Sequence, residues 1–480
     1  MRDQKTQGLP TSVVAAWAAL AAATALAGDP AANLRPLDLV VDEYVAASLE
    51  SNLSLRQRNL GYERSVEALK EARGRFLPSV TLESRFSRND GGRTLDFPVG
   101  DLLNPVYATL NDLTAGGPDP TNFPAVANQK IRFLREQEQQ SAVRLTQPLY
   151  VPQILANLKA ETAQSAAEQA GRDAYARVLT RDVRTAYYGW MRAQQTLGIV
   201  ESSIDLLDEN LRVNRSLFDN GKVTEDQLLR AKAELLAAEQ QRLEAANGVR
   251  QAQSYFNFLL NRPLDSDVEQ AAMPRSLQAS LPAIEGLQSE AQSRRAELRQ
   301  LEQSELAAQA SIAAARAEFK PTLAVTAELG TQGEEYRFTS EERYTTAALV
   351  FSWNVFNGNQ SRARLAAARL DARNAEAARE EVAQRIALEV RQSHDNVRSA
   401  QSALATAEAR LDAAAAAFRI AARKRDAGVI SQVEFLDARS TLTNAELNRN
   451  LTQFEFLIRK AELDFAVGIS PGPTASEPSS

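Results

Sequence analysis

Hydrophobic and polar positions along two long segments of the chain repeat every seven residues. In the later segment, large apolar side chains recur at Val390, Val397, Leu404, Leu411 and Phe418, with mostly alanines three residues after each. The same register in the earlier segment gives Val183, Trp190, Leu197, Ile204 and Leu211. Heptads sustained over this length are typical of coiled-coil packing. Since proline is absent from 153–262 and from 358–467, we predict long helices over 153–219 and 358–426.

Four shorter segments alternate apolar and polar residues and predict β-strands. They span about 78–87, 141–150, 321–330 and 344–356. In the first, Val80 and Leu82 alternate with Thr81 and Glu83. Each strand is close to the roughly 9 to 11 residues that cross a bilayer when tilted. A soluble sheet that packs one face on helices is the alternative. The connection 88–140 is long and turn-rich, which favours an outward-facing loop.

The chain reads as two copies of one structural repeat, with matching segments about 207 residues apart. We predict the first repeat at 28–261 and the second at 282–468, joined by a linker at 262–281. Each repeat holds a short helix, two strands, a long helix and a closing helix at 223–261 or 431–467. The opening helices are expected from Leu37 to Arg73, with a break near Asn52, and from Pro282 to Glu318. Repeats of this kind dictate the architecture.

Composition adds a cellular compartment and removes several functions. Residues 1–27 have the form of a secretory signal peptide, and 469–480 is expected to be a disordered tail. The chain has no cysteine, so neither a disulfide nor a lipidated N-terminal cysteine is expected. A net charge of -6 gives no sign of a nucleic-acid partner.

The turn that ends each long helix carries duplicated capping signals. Gly221 and Gly428 supply a left-handed residue that terminates a helix. Thr224 and Ser431 are predicted N-caps, and Gln227 and Glu434 would complete a capping box at each. The residues before the caps are predicted to pack onto the first turn of the next helix; they are Val223 and Ile430. We therefore expect a sharp, rigid reversal at both tips.

Two acids follow the second tip on one helical face, Glu434 and Asp437. Capping and the helix dipole explain Glu434 without further function. If several copies surround an axis, the acids form a charged ring that favours cations. Arg230 occupies the position that matches Asp437, so a pairing between repeats that holds the tip shut is a competing hypothesis.

Enzyme chemistry has little support in the sequence. The single histidine, His394, lies on a charged helical stretch and is expected to be solvated. We predict no catalytic residues, cofactor or metal site, because no phosphate-binding loop, metal-spaced cluster or nucleophile motif is present. A periplasmic coiled-coil adaptor is the alternative function, although it should lack amphipathic strands, and an exported hydrolase is a third possibility.

The doubled order of these signals resembles the TolC-like outer membrane efflux channel family. The resemblance rests on the helix-to-strand entries Phe76-Leu77-Pro78 and Phe319-Lys320-Pro321, the strand exits Gln147-Pro148-Leu149-Tyr150 and Trp353-Asn354-Val355-Phe356, and both glycine tips. It implies a mainly α fold with a transmembrane β-barrel portion. Three internally duplicated chains would build a long α-helical coiled-coil barrel and share 12 strands, four from each chain.

The resemblance also implies a location, partners and a gate. The trimer would sit in the outer membrane of a Gram-negative bacterium, extend into the periplasm, and conduct substrates passively from an inner-membrane transporter through a periplasmic adaptor. Such an efflux or type I secretion channel exports drugs, metals or proteins. Glu434 and Asp437 match its cation-attracting entrance. This chain departs from the family at Gln227, where an acid is common, and at Arg425, where an aromatic residue can help to close the entrance.

Overall fold

The structure, a computed structural model, describes residues 34–469 except 275, 278, 279 and 338. The predicted signal peptide lies outside the described residues, as does all of the predicted tail after Ile469. The helices are α1 Leu37–Ser51, α2 Leu53–Gly74, α3 Val99–Thr114, α4 Pro152–Asp219, α5 Glu225–Leu259, α6 Ile284–Arg294, α7 Ala296–Ala317, α8 Gln360–Asp426 and α9 Gln432–Val467. The strands are β1 Ser79–Arg88, β2 Thr94–Phe97, β3 Gln129–Arg132, β4 Gln137–Tyr150, β5 Thr322–Gly333 and β6 Arg343–Ser352.

The described chain divides into two compact units. The helical unit comprises 34–64, 165–304 and 375–469, and the strand unit comprises 65–164 and 305–374. The long helices α4 and α8, of 68 and 67 residues, contribute residues to both. None of the described helices is long and apolar enough to cross a membrane.

The core of the helical unit follows the heptad rows. All of the predicted heptad positions on α4 and α8 are buried or half-buried. Aromatic side chains fill the largest cluster, where Tyr187 and Phe256 are fully buried and Tyr44 meets Phe256 edge-on at 5.0 Å between ring centroids. Apolar rows buried in this way stabilise the helices through packing, because propensity alone is a weak term in long helices.

Both short helix pairs break at a side chain that anchors the chain to the end of another helix. The predicted break at Asn52 is present, and the Asn52 amide donates to the Leu259 carbonyl at the end of α5, 2.9 Å away. The predicted helix 282–318 is also broken, at Arg295, which the sequence interpretation missed. The Arg295 guanidinium donates to the Ala466 carbonyl of α9 at 3.1 Å and pairs with Glu297 and Glu389. Helix-end carbonyls that lack intrahelical partners are satisfied in this way.

The strand unit contains a four-stranded antiparallel sheet in the order β1-β4-β5-β6. In its registers, apolar residues lie opposite apolar residues on neighbouring strands. Examples are Val80 with Leu145, Leu145 with Ala327, and Ala327 with Ala347. The last strand is shorter than the predicted 344–356, because Ser352 pairs with Thr322 at the very start of β5. Beyond that point no strand of the described chain is available to pair with it.

The segment 88–140 is more ordered than the predicted loop. Strands β2 and β3 form a separate two-stranded sheet, with helix α3 between them. On α3, the Asn104 and Asn111 side chains each make two hydrogen bonds, of 2.8 and 3.0 Å, with the backbones of Val126 and Phe123. These long-range bonds fix the helix against an extended segment, which local sequence patterns do not reveal.

Candidate functional site

The two helix-to-helix turns share one backbone geometry. At the first, the Lys222 N–H donates to the Leu217 carbonyl and the Gly221 N–H to the Phe218 carbonyl, both at 2.8 Å. At the second, Val429 and Gly428 make the same two bonds to Lys424 and Arg425. The glycines have φ of 68° and 71°. This is the Schellman ending, in which a left-handed glycine allows two otherwise unpaired carbonyls to be satisfied.

The cap after each turn differs between the tips. Ser431 forms the predicted capping box: its hydroxyl accepts from the Glu434 N–H at 3.2 Å, and its own N–H donates to the Glu434 carboxylate at 3.3 Å. The predicted box at Thr224 and Gln227 is wrong. Thr224 is the N-cap of α5, but its side chain makes no capping bond. The Gln227 N–H donates instead to the Thr224 carbonyl at 3.2 Å, which removes the donor that the hydroxyl would need.

The predicted gate residues lie on the exposed surface near the tips. Glu434, Asp437 and Arg230 are exposed, while Gln227 and Arg425 are half-buried. Within the described part of this chain, Arg230 and Asp437 do not form an ion pair with each other or with any other residue. Val223 and Ile430, which we predicted to pack onto the first turn of the next helix, are half-buried. Asp437 therefore retains an uncompensated charge on the helix surface, as a role in a charged ring requires.

Arg425 packs on an aromatic residue rather than projecting freely. Its guanidinium carbon lies 3.9 Å from the centroid of the Phe435 ring, a cation–π contact between α8 and α9. Phe435 in turn contacts Phe418 at 5.6 Å between centroids, and Arg439 lies 5.6 Å from the Phe418 centroid. The sequence interpretation missed this stack. The signal in the sequence was an arginine at a position where the family often has an aromatic residue, close to two phenylalanines.

The charge of Arg425 also reaches the first long helix. Arg212 donates two hydrogen bonds to Glu209 on α4, at 2.6 and 2.7 Å, and this pairing lowers the pKa of the Glu209 carboxyl, with a smaller contribution from Arg425. The contact that the structure shows for Arg425 here is with the Phe435 ring.

A direct hydrogen bond joins the second tip to the first long helix. The Gln432 amide donates to the Asn210 side-chain oxygen at 2.9 Å, and Asn214 donates to the same residue. Asn210 and Asn214 are almost fully buried. Asn214 continues the heptad row of Val200 and Leu207, so a polar residue on a core row was the signal in the sequence. A buried asparagine of this kind specifies helix register at some cost in stability.

His394 is buried, which contradicts the expectation of a solvated side chain. Its Nδ1 accepts from the Arg398 guanidinium at 3.3 Å and lies 3.6 Å from the Asp395 carboxylate. The heptad positions of Val390 and Val397 turn this face of α8 inward. Among the described residues, no group of three or more His, Cys, Asp or Glu side chains is placed to hold a metal ion.

The four-stranded sheet has one apolar and one polar face. The apolar face exposes large side chains: Val80, Leu82, Val143, Leu145, Leu329, Leu349 and Phe351. On the polar face, the Arg144 Nε donates to the Glu328 carboxylate at 3.0 Å, and the Tyr344 hydroxyl donates to the same carboxylate at 2.5 Å. Glu83 completes the cluster at 3.5 Å from Arg144. An exposed apolar face of this extent marks a surface that is covered in the functional state.

Comparison with known proteins identifies the family and the fold. The sequence model described as outer membrane efflux protein matches residues 45–262 and 287–469. The chain belongs to the outer membrane efflux protein family. Membership confirms the resemblance to TolC-like proteins and places the chain in the outer membrane of a Gram-negative bacterium.

Two curated relatives carry names that refer to efflux pumps. The chain is similar to the outer membrane protein SrpC of a solvent efflux pump from Pseudomonas putida, with 27% identity over 301 residues. It is equally similar to the outer membrane protein TtgI of a toluene efflux pump, also from Pseudomonas putida. Each alignment spans 60% of this chain and 62% of the relative.

Solved structures of outer membrane channels share the fold. The CmeC channel of Campylobacter jejuni aligns with a TM-score of 0.74 at 15% identity, covering 92% of this chain and 90% of CmeC. The CusC structure gives a TM-score of 0.74 at 17% identity, with 93% and 95% covered. The open state of the MtrE channel of Neisseria gonorrhoeae gives 0.71 at 21%, with 90% of each chain covered. At these identities the likeness concerns the fold.

Proposed function

We propose that this chain forms a homotrimeric outer membrane channel that passively conducts substrates delivered by an inner-membrane transporter through a periplasmic adaptor. The chain acts as the outer membrane component of a tripartite efflux or type I secretion system. Its two segments that match the family, 45–262 and 287–469, support a chain made of two structural repeats. We propose that these two structural repeats are the predicted repeats at 28–261 and 282–468.

The two-faced sheet carries the proposal. Strands β1 and β6 are its edges: each pairs with one neighbouring strand, and the outer edge of each has no partner within the described chain. Eight strands, from two copies, would make a barrel that its own side chains fill. Three copies of a four-stranded sheet give 12 strands, close the edges, direct the apolar face to lipid and enclose the cluster of Arg144 and Glu328 in a passage. A periplasmic adaptor has no contact with lipid that would cover such an exposed apolar face.

The tips supply the periplasmic entrance in this proposal. The rigid turns at Gly221 and Gly428, with Val223, Thr224, Ile430 and Ser431, form the surface on which an adaptor docks. Asp437 and Glu434 from three copies surround the axis and favour cations. Docking separates the helices that the contacts of Arg425 and Gln432 hold together. The free charge on Asp437 supports this arrangement more than a closed pair with Arg230 does, because the described chain shows no such pair.

The oligomer is testable by fractionation of cells that express the full chain. We expect it in the outer membrane as a trimer that migrates intact in detergent gels and dissociates on heating. Native mass spectrometry in detergent checks the stoichiometry. A soluble periplasmic monomer would reject the proposal and return the adaptor alternative to first place.

The names of the relatives give a first candidate for the exported substrate. Because both relatives belong by name to solvent or toluene efflux pumps, we propose hydrophobic organic solvents as the substrates to test first. The chain, expressed together with the pump and adaptor genes that neighbour its own gene, should restore toluene survival to a host lacking its own channel. Unchanged survival, with the trimer present in the outer membrane, would exclude this cargo but would not contradict the proposed channel function.

A further inference from the structure

One arginine near the second tip is buried without a counter-charge. The Arg439 side chain on α9 is only 6% exposed, and its Nε has no hydrogen-bond partner among the described residues. No carboxylate of the described chain lies within 4.0 Å of its guanidinium, whose central carbon lies 5.6 Å from the centroid of the Phe418 ring. Burial lowers the pKa of Arg439, but an arginine remains charged in a protein. A largely buried cation of this kind is stabilised by an anion nearby.

The guanidinium lines a cavity large enough for such an anion. The cavity has a volume of about 160 Å³ and lies between α4, α5 and α9. Thr443, one helical turn after Arg439, also lines it, and its buried hydroxyl has no hydrogen-bond partner among the described residues. The uncharged polar lining also includes Gln241, Ser203, Ser440 and Asn444, whose amide donates to the Ser440 hydroxyl at 3.4 Å. Since a single water needs roughly 10–15 Å³ of such space, the cavity has room for a small anion together with several waters.

The carboxylates nearest to the cavity leave Arg439 unpaired. Glu234 on α5 is part of the lining but is exposed to solvent and forms no ion pair with Arg439. Glu446, two turns further along α9, contributes only a distant Coulomb attraction. A guanidinium presents parallel N–H donors that match the two oxygens of a carboxylate. The Thr443 hydroxyl adds a donor on the same face of α9, because residues four apart are neighbours on a helix.

We propose that this cavity is a binding site for a small monovalent anion, with a carboxylate of formate or acetate size as the preferred class. Arg439 binds the anion and Thr443 positions it. The cavity lies between α9 and the two helices that meet at the first tip, α4 and α5. An occupied site therefore holds the second tip against the first. This consequence for gating rests on the proposed channel function, whereas binding does not, so binding is tested without any transport measurement.

Bromide is the probe that locates the site directly. Crystals of the full chain grown in bromide should show an anomalous peak beside the Arg439 guanidinium, and formate in the same buffer should remove it. Absence of the peak would overturn the proposal. So would a carboxylate paired with Arg439 in the crystal, whether from Glu234 or from a neighbouring copy of the chain.

Variants provide a second measurement in solution. Replacing fluoride by formate at constant ionic strength should raise the unfolding temperature of the detergent-solubilised protein, and Arg439→Gln should abolish this rise. Glu234→Gln should retain or enlarge the rise, because it removes a competing carboxylate. No rise in the unsubstituted protein, together with a rise in Glu234→Gln, would instead identify Glu234 as the partner of Arg439 and reject the site.

Lys232→Gln is the matched control, because Lys232 occupies the position of Arg439 in the first half and does not line the cavity. It should leave the formate response unchanged. Equal losses in Lys232→Gln and Arg439→Gln would show a general charge effect and contradict a specific site. If Arg439→Gln does not fold, Thr443→Val reports on the same cavity and should reduce the formate response.

Discussion

At the residue scale, the two tips show why identical capping signals can have different outcomes. Serine and threonine are both good N-caps, yet only Ser431 accepts a hydrogen bond from the following turn. The sequence predicts which residue occupies the cap position in each copy. It does not predict whether the hydroxyl or the backbone carbonyl of that residue accepts from the N–H three residues later, because both caps have similar extended backbone angles.

The difference predicts unequal effects of removing the two hydroxyls. Ser431→Ala should weaken the first turn of α9 by about 1 kcal/mol, the usual loss for an N-cap. Thr224→Ala should cost clearly less at α5, because no capping bond is lost. Hydrogen exchange of the amides in these turns measures both. Equal loss of protection at the two tips would contradict the assigned caps.

Asp437 tests the charged entrance against the competing pair with Arg230. If three copies of Asp437 form a ring, Asp437→Ala should reduce the cation preference of the channel and its block by polyvalent cations, whereas Arg230→Ala should not reduce either. If the two residues pair between repeats and hold the tip shut, both substitutions should raise the conductance alike and the double variant should add nothing. Selectivity in planar bilayers separates these outcomes. Unchanged selectivity in Asp437→Ala would reject its role in the entrance.

Asp464 predicts a pH effect on stability in the helical unit. Burial raises the pKa of the Asp464 carboxyl, and attraction to Lys460 and Arg184 only partly opposes this. A carboxyl whose pKa is higher in the folded state binds more protons there, so its contribution to stability falls as the pH rises from the unfolded-state pKa to the folded-state pKa. Asp464→Asn should therefore raise the unfolding temperature at pH 7, and the gain should shrink toward acidic pH. A gain that is independent of pH would contradict the assigned shift.

At the element scale, the long helices and the strands follow from periodicity because each buries a continuous row of side chains. Heptad rows on α4 and α8 predict which positions are buried. The break at Arg295 could not be predicted in the same way, since it depends on carbonyls of α9 more than 160 residues later in the chain. Helix α3 was missed for a similar reason: Pro105 and the surrounding turn residues favour a loop, and Asn104 and Asn111 gain their partners only in the folded segment.

The glycine turns are the elements that the sequence describes most fully. At Gly428 φ is 71° and no atom lies within 4 Å of an added Cβ, so a substitution there meets only the backbone penalty. Gly428→Ala should destabilise the turn by about 1–2 kcal/mol, the usual cost of a left-handed alanine. Gly428→Asn should cost less, because asparagine tolerates this conformation. Hydrogen exchange across 424–436 measures both, and equal effects of alanine and asparagine would contradict a purely conformational role.

At the scale of the whole molecule, the family membership and the sheet point to the same assembly. The chain exposes an apolar sheet face and two sheet edges, and neither is satisfied within the described residues. The family could be anticipated from the doubled order of entries, exits and tips, because each signal is local. The contacts near the second tip differ in this respect: the stack from Arg425 to Arg439 joins neighbouring stretches of α8 and α9, whereas the bond from Gln432 to Asn210 joins segments far apart in sequence and could not be anticipated.

Single-channel recording in a planar bilayer tests the central claim most directly. The purified full chain should insert as trimers and give discrete conductance steps without nucleotide or any other energy source. Heat-dissociated protein from the same preparation is the control and should give none. The absence of conductance from intact trimers, both with Asp437 in place and in Asp437→Ala, would contradict the account.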